Sequence, residues 1–247
     1  MSNGQNHKEK GNGLPVLQAE AIDLLKRLIS IPSFSKEEAH TASAIEGYLR
    51  SRGVHVQRLQ NNVWARNKHF DAAKPTILLN SHHDTVKPNK GYTLDPFEPL
   101  EKDGQLFGLG SNDAGGCLVS LIAAFLHYYD REGLTYNLLL AATAEEEISG
   151  HDGIELLLPS LGTIDFGIVG EPTQMQLAVA EKGLLVLDCV SHGKAGHAAR
   201  EEGDNAIYKA MAGHIVMCHL ARLSARLCPG AARSGYRNPT MDMKKAS

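Results

Sequence analysis

Apolar residues recur at helical spacing through LQAEAIDLLKRLISI, and the run stops at Pro32, which predicts a helix with a firm end. A second helix follows in SKEEAHTASAIEGYLRSRG. Ser35 and Glu38 stand at capping-box spacing before it, and Gly53 suits its C-terminal stop. VHVQRL and NVWAR read as short strands. PTILLN is apolar on both faces, the mark of a central strand. AGGCLVSLIAAFLHYYDREG predicts an apolar helix, YNLLLAAT a buried strand, GHDGIELLLPSL a short helix and DFGIVG another strand. Strands alternating with helices predict an α/β fold, a mixed, mostly parallel sheet flanked by helices.

The pattern changes near Lys182. LLVLDCVSHGKAGHAA predicts a strand and loop, and DNAIYKAMAGHIVMCHL a helix. Four stretches result: a disordered tail over 1–16, a main domain over 17–182, a smaller one over 183–222, and 223–247 without clear periodicity. The opening MSNGQNHKEKGNG has no apolar core and does not read as a signal peptide.

Composition narrows the class only modestly. Of 247 residues, 43% are hydrophobic and 21% charged, as in ordinary globular proteins. A net charge of −3 argues against nucleic acid or an anionic membrane as main partner. No run of about 18 apolar residues predicts a membrane span. Cys117, Cys189, Cys218 and Cys228 form no C-x-x-C pair and read as reduced thiols, so a cytoplasmic location is expected.

Candidate chemistry gathers at the carboxyl ends of the predicted strands, where α/β sheets bind ligands. His82, His83 and Asp84 follow TILLN, Glu145, Glu146 and Glu147 follow LLLAAT, and Glu171 follows DFGIVG. Asp113 lies in the Gly-rich turn GLGSNDAGG. On an extended chain His82 and Asp84 share a face, so an imidazole can bind metal while the carboxylate orients it, and His83 points away. A surface turn with a stray His pair is the alternative. Asp113 can bridge two ions, or can serve as an ordinary Asx turn or helix cap. The Glu run is either a solvated helix start or a ligand beside a general base. Pro172 biases Glu171 towards extended backbone, aimed off the strand end, or the segment is a plain turn. His197, among small residues in GKAGHAA, has room for a ligand, although a lone loop histidine commonly has no role. The glycines match neither phosphate-binding pattern, which argues against a nucleotide site.

The ordered motifs SHHDTV, GLGSNDAGG, TAEEEISG, VGEPT and GKAGHAA resemble the zinc-dependent aminoacylase family of metallopeptidases, which includes acetylornithine deacetylase, succinyl-diaminopimelate desuccinylase and dipeptidases. The resemblance spans roughly 18 to 212, and GEPT with NNVWAR looks most like the acetylornithine deacetylase branch. It implies a catalytic domain over 17–182 and the start of an α+β lid and dimerisation domain over 183–222. It implies two zinc ions, with cobalt or manganese as alternatives. His82 and Glu171 would hold the first ion, Asp113 would bridge, and Glu147 would hold the second. Asp84 would orient His82, Glu146 would be the general base, and His197 would stabilise the oxyanion. The implied reaction is amide hydrolysis of a small N-acyl amino acid, with N-acetylornithine in arginine biosynthesis as the expected substrate, by a homodimer. The family pattern fades near Ala212, and His214 and His219 come too early to match the family's late histidine ligand. The chain is therefore expected to be an N-terminal portion with an incomplete second zinc site. Two outcomes stay open for it: hydrolysis, or binding of one zinc ion without turnover.

Overall fold

The structure is a computed structural model that describes residues 13–180, 189–197, 200 and 202–214. The chain divides into two compact units between Gln176 and Leu177.

The first unit begins with α1 (Leu14–Ile29), which starts inside the stretch expected to be a tail. Pro15 sits in its first turn, where a missing N–H costs nothing. Leu17, Leu24, Leu25, Leu28 and Ile29 form its buried stripe, as the periodicity predicts. Then come α2 (Ala39–Ser51), β1 (Val56–Leu59), β2 (Asn62–Arg66), β3 (Thr76–His82), β4 (Leu100–Lys102) and β5 (Gln105–Phe107). The unit continues with α3 (Gly116–Tyr128), β6 (Asn137–Thr143), α4 (Ile154–Leu161) and β7 (Phe166–Val169). Five strands form one sheet in the order β1-β2-β6-β3-β7, and β4 and β5 form a separate hairpin.

The sheet is mixed. β3 runs parallel to β6 and β7, while β2 is antiparallel to both β1 and β6. The carboxyl ends of β3, β6 and β7 therefore open on one edge. The register pairs His82 with Thr143 and Asn80 with Val169, so the chain leaves all three strands at nearly the same level.

Both faces of the central strands are covered, which explains the unbroken apolar run in NLLLAAT. Leu138, Leu140 and Ala142 pack into the core with α1, α2 and α3. Leu139 and Ala141 point the other way and join Trp64, Leu78, Leu157 and Leu161. The alternation along β6 is the two-residue period of a strand serving two cores. β7 is an edge strand, and Phe166, Ile168 and Val169 remain exposed.

The capping box expected at Ser35 and Glu38 does not form. Glu38 precedes α2 but makes no side-chain cap bond, and Ser35 is bonded elsewhere. In the second unit Lys194 and Asp204 pair as an antiparallel bridge, and residues 206–214 are helical. The strand expected after Lys182 and the tail beyond 214 lie outside the described residues. Among the described residues, no helix is long and apolar enough to cross a membrane.

Leu140 is fully buried in the larger core. Leu140→Ala is expected to cost about 2–5 kcal/mol of unfolding free energy, read from urea denaturation.

Candidate metal centre

β3 carries His82 to the open edge with its side chain only 1% exposed. His82 Nδ1 lies 3.0 Å from the Asp84 carbonyl oxygen and 3.3 Å from Asp84 Oδ1. Both are acceptors, so Nδ1 carries the proton and Nε2 faces the other way. Nε2 meets Asp113 Oδ1 at 3.3 Å, Glu146 Oε2 at 3.8 Å and Glu171 Oε2 at 3.9 Å. Three carboxylates from three segments thus surround one imidazole nitrogen.

Each side chain arrives by a local device. β7 extends its pairing by one residue, with the Gly170 N–H donating to Asn80 O at 2.8 Å and Ser81 Oγ donating to Gly170 O at 2.8 Å. Glu171 follows directly. Glu145 adopts left-handed backbone (φ 55°), which turns its own side chain inward against Gly150 and leaves Glu146 and Glu147 at the edge. Asp113 lies in the irregular turn Ser111–Gly115, and the helix-cap alternative fails because it makes no cap bond. Gly115 is required there: a Cβ would come within 2.5 Å of Gly110 O and 2.7 Å of Leu25.

Asp84 is fully buried and fixes the arrangement. Its Oδ2 accepts from Ser35 Oγ at 2.8 Å and from the Glu147 N–H at 3.2 Å, and its Oδ1 accepts from the Glu146 N–H at 3.1 Å. Burial opposes its charge, but the bonds from His82, Ser35 and the two backbone N–H groups outweigh burial and hold the carboxyl below its usual range.

The electrostatics call for a cation. Burial works against charge on His82, yet its bond to Asp84 and the charges of Asp84, Glu171 and Glu146 raise its pKa to about 9. Burial pushes Glu171 up to about 7; His82 opposes the rise, and Glu146, Asp113 and Glu147 add to it. Burial and the Asp113 charge raise Glu147 as well. Ligand atoms of His82, Asp113 and Glu171 all lie within 4.8 Å of one another. One imidazole with carboxylates is a donor set that zinc, cobalt and manganese accept, so these residues fit a divalent ion.

His83 does point away, as expected. Its Nε2 donates to Asn61 O at 2.9 Å, and its Nδ1 lies 3.0 Å from Thr41 Oγ1. Burial lowers its pKa, and the Thr41 hydroxyl sits between His83 Nδ1 and the Glu38 carbonyl, 3.0 Å from each. Cys117 stands near Glu171 and Asp113, but burial and those charges keep its thiol protonated. His197 lies in the second unit, following the Lys194 bridge.

Of the residues expected at the site, His82, Asp84, Asp113, Glu146 and Glu171 come together, and Glu147 joins through its backbone bond to Asp84. Sequence reasoning missed Ser35. It meets Asp84 across 49 positions, a separation that leaves no local signal.

The architecture and this edge define an α/β protein with a carboxylate-rich centre for divalent ions. The chain belongs to the peptidase family M20/M25/M40, which it matches over residues 78–233, beyond the point near Ala212 where the motifs fade. It is 33% identical over 232 residues to acetylornithine deacetylase of Proteus mirabilis, covering 88% of this chain and 57% of that protein. It is 31% identical over 208 residues to succinyl-diaminopimelate desuccinylase of Buchnera aphidicola, covering 76% and 54%. The chain thus spans about half the length of the curated relatives it matches. Its fold resembles human carnosine dipeptidase 1 with a TM-score of 0.53 at 19% identity, over 73% of this chain and 42% of that one.

Thr41→Val keeps the shape beside His83 and removes the buried hydroxyl that reaches both His83 Nδ1 and the Glu38 carbonyl. It is expected to cost about 1–3 kcal/mol in urea unfolding.

Proposed function

We propose that the chain belongs to a metal-dependent hydrolase of N-acyl amino acid amides, with N-acetylornithine as the preferred substrate. The observation that carries this reading is the convergence of Asp113, Glu146 and Glu171 on His82 Nε2 at a sheet edge where, among the described residues, these carboxylates form ion pairs with His82 alone. His82, Asp113 and Glu171 hold one ion in this proposal, and Asp113 with Glu147 contributes to a second. A bound zinc ion supplies Lewis-acid polarisation of the acyl carbonyl and a lowered pKa for water.

The residues divide the remaining work. Asp84 keeps the proton on His82 Nδ1, so Nε2 is free to ligate. Glu146, more than half exposed at the start of its turn, takes a proton from water and returns it to the leaving amine. In this proposal His197 has the role that the resemblance implies, donating to the oxyanion that develops on the acyl oxygen. A homodimer, a cytoplasmic location and a place in arginine biosynthesis belong to the same proposal, supported by the 33% identity to an acetylornithine deacetylase. A second reading, one-ion binding without turnover, draws on Glu147 standing outside the tight donor group of His82, Asp113 and Glu171.

Glu146→Gln is expected to leave metal content unchanged and lower hydrolysis of N-acetylornithine about 10²- to 10⁴-fold, measured by amine release. Retained activity in that variant contradicts the role of Glu146. Wild-type chain that binds zinc and hydrolyses neither N-acetylornithine nor N-succinyl-diaminopimelate supports the second reading.

Adding zinc at about 100 times its dissociation constant is expected to stabilise the wild-type chain by about 2.7 kcal/mol. His82→Ala is expected to lose most of that gain, with calorimetry as the readout.

A further inference from the structure

Ser35 and Glu38 stand at capping spacing, yet neither caps α2. Both reach towards the metal centre instead. Ser35 Oγ donates to Asp84 Oδ2 at 2.8 Å. Glu38 is fully buried; its Oε1 accepts from the Lys36 N–H at 2.7 Å and the Glu145 N–H at 3.2 Å, and its Oε2 accepts from Asn61 Nδ2 at 2.9 Å. The segment is pinned alongside Asp84, because the Thr85 N–H donates to Ser33 O at 2.8 Å and Phe34 pairs with Thr85 as a parallel bridge. One short turn therefore reaches both the carboxylate beside His82 and the backbone that introduces Glu146 and Glu147.

We propose that Ser35 is a positioning residue for the metal centre, fixing the His82 ring and the Glu146–Glu147 turn through Asp84. The proposal rests on the reading that His82, Asp113 and Glu171 hold a divalent ion. Asp84 divides its oxygens: Oδ1 faces His82 Nδ1 and the Glu146 N–H, while Oδ2 takes Ser35 and the Glu147 N–H. The Ser35 bond is the shortest of these, and it stops the carboxylate plane from rotating. Without it, Oδ2 keeps only the 3.2 Å contact with Glu147, and the His82 ring loses a fixed acceptor. Ser35 is half-buried, so water can satisfy Asp84 after the hydroxyl is removed, but water does not hold the carboxylate in one orientation. The consequence falls on metal affinity more than on folding.

The test is a competitive titration of zinc against a chelator on the full chain. S35A is expected to bind zinc about tenfold more weakly, in the range seen when groups supporting a ligand are removed. Its metal-free melting temperature is expected to stay within about 4 °C of wild type. S35T, which keeps the hydroxyl, is expected to restore wild-type affinity. In an Asp84→Asn background, S35A is expected to add no further loss. Wild-type affinity in S35A, or an additive loss on top of Asp84→Asn, overturns the proposal. If S35A does not fold, S35V, which fills the position without a donor, takes its place, and wild-type zinc affinity in S35V is then the overturning result. Absence of zinc binding in the wild type overturns the underlying metal reading as well, so the two failures are distinguishable.

Discussion

The arrangement of this protein turns on one buried carboxylate. Asp84 sits at the end of a central strand without contact with water and accepts hydrogen bonds from His82, Ser35 and the backbone of Glu146 and Glu147. Burying a charge is costly unless several donors converge on it. Here the donors come from three separate segments, so satisfying Asp84 also ties β3, the loop after β6 and the turn before α2 together. The same bonds fix the tautomer of His82, and with it the direction in which Nε2 points. Charge placement and local folding are one problem at this edge.

The sheet makes that solution possible. Parallel pairing of β3 with β6 and β7 brings three strand ends to one level, and cores on both faces hold them there. Each strand end then delivers a titratable side chain that local repulsion would disfavour on its own. Burial, and after it the repulsion of neighbouring carboxylates, raises the pKa values of Glu171 and Glu147; on His82 the Asp84 bond and the surrounding negative charges outweigh burial. A divalent ion placed among these groups relieves the first and replaces the proton responsible for the second.

Much of this was legible in the sequence. The period of apolar residues marked the helices, and the unbroken run in NLLLAAT marked a strand buried on both faces. The pairing of His82 with Asp84, and the turn of His83 to the opposite face, followed from strand geometry alone. The resemblance singled out Glu146 and Glu147, and the left-handed backbone at Glu145 supplies the physical reason that Glu145 turns inward while they stay at the edge. Ser35 and Glu38 misled because capping-box spacing is a local signal, whereas their partners are distant: Asp84 and Glu145 compete successfully for groups that a helix end would otherwise use. The long-range hydrogen bond carries no pattern in a single sequence.

X-ray absorption at the zinc edge of the zinc-loaded chain tests the central claim most directly. The account predicts a shell of nitrogen and oxygen ligands at about 2.0–2.2 Å, with the outer-shell signature of a single imidazole at each occupied first site. A sulfur ligand near 2.3 Å, or two or more imidazoles on one ion, would contradict a centre built from His82, Asp113 and Glu171.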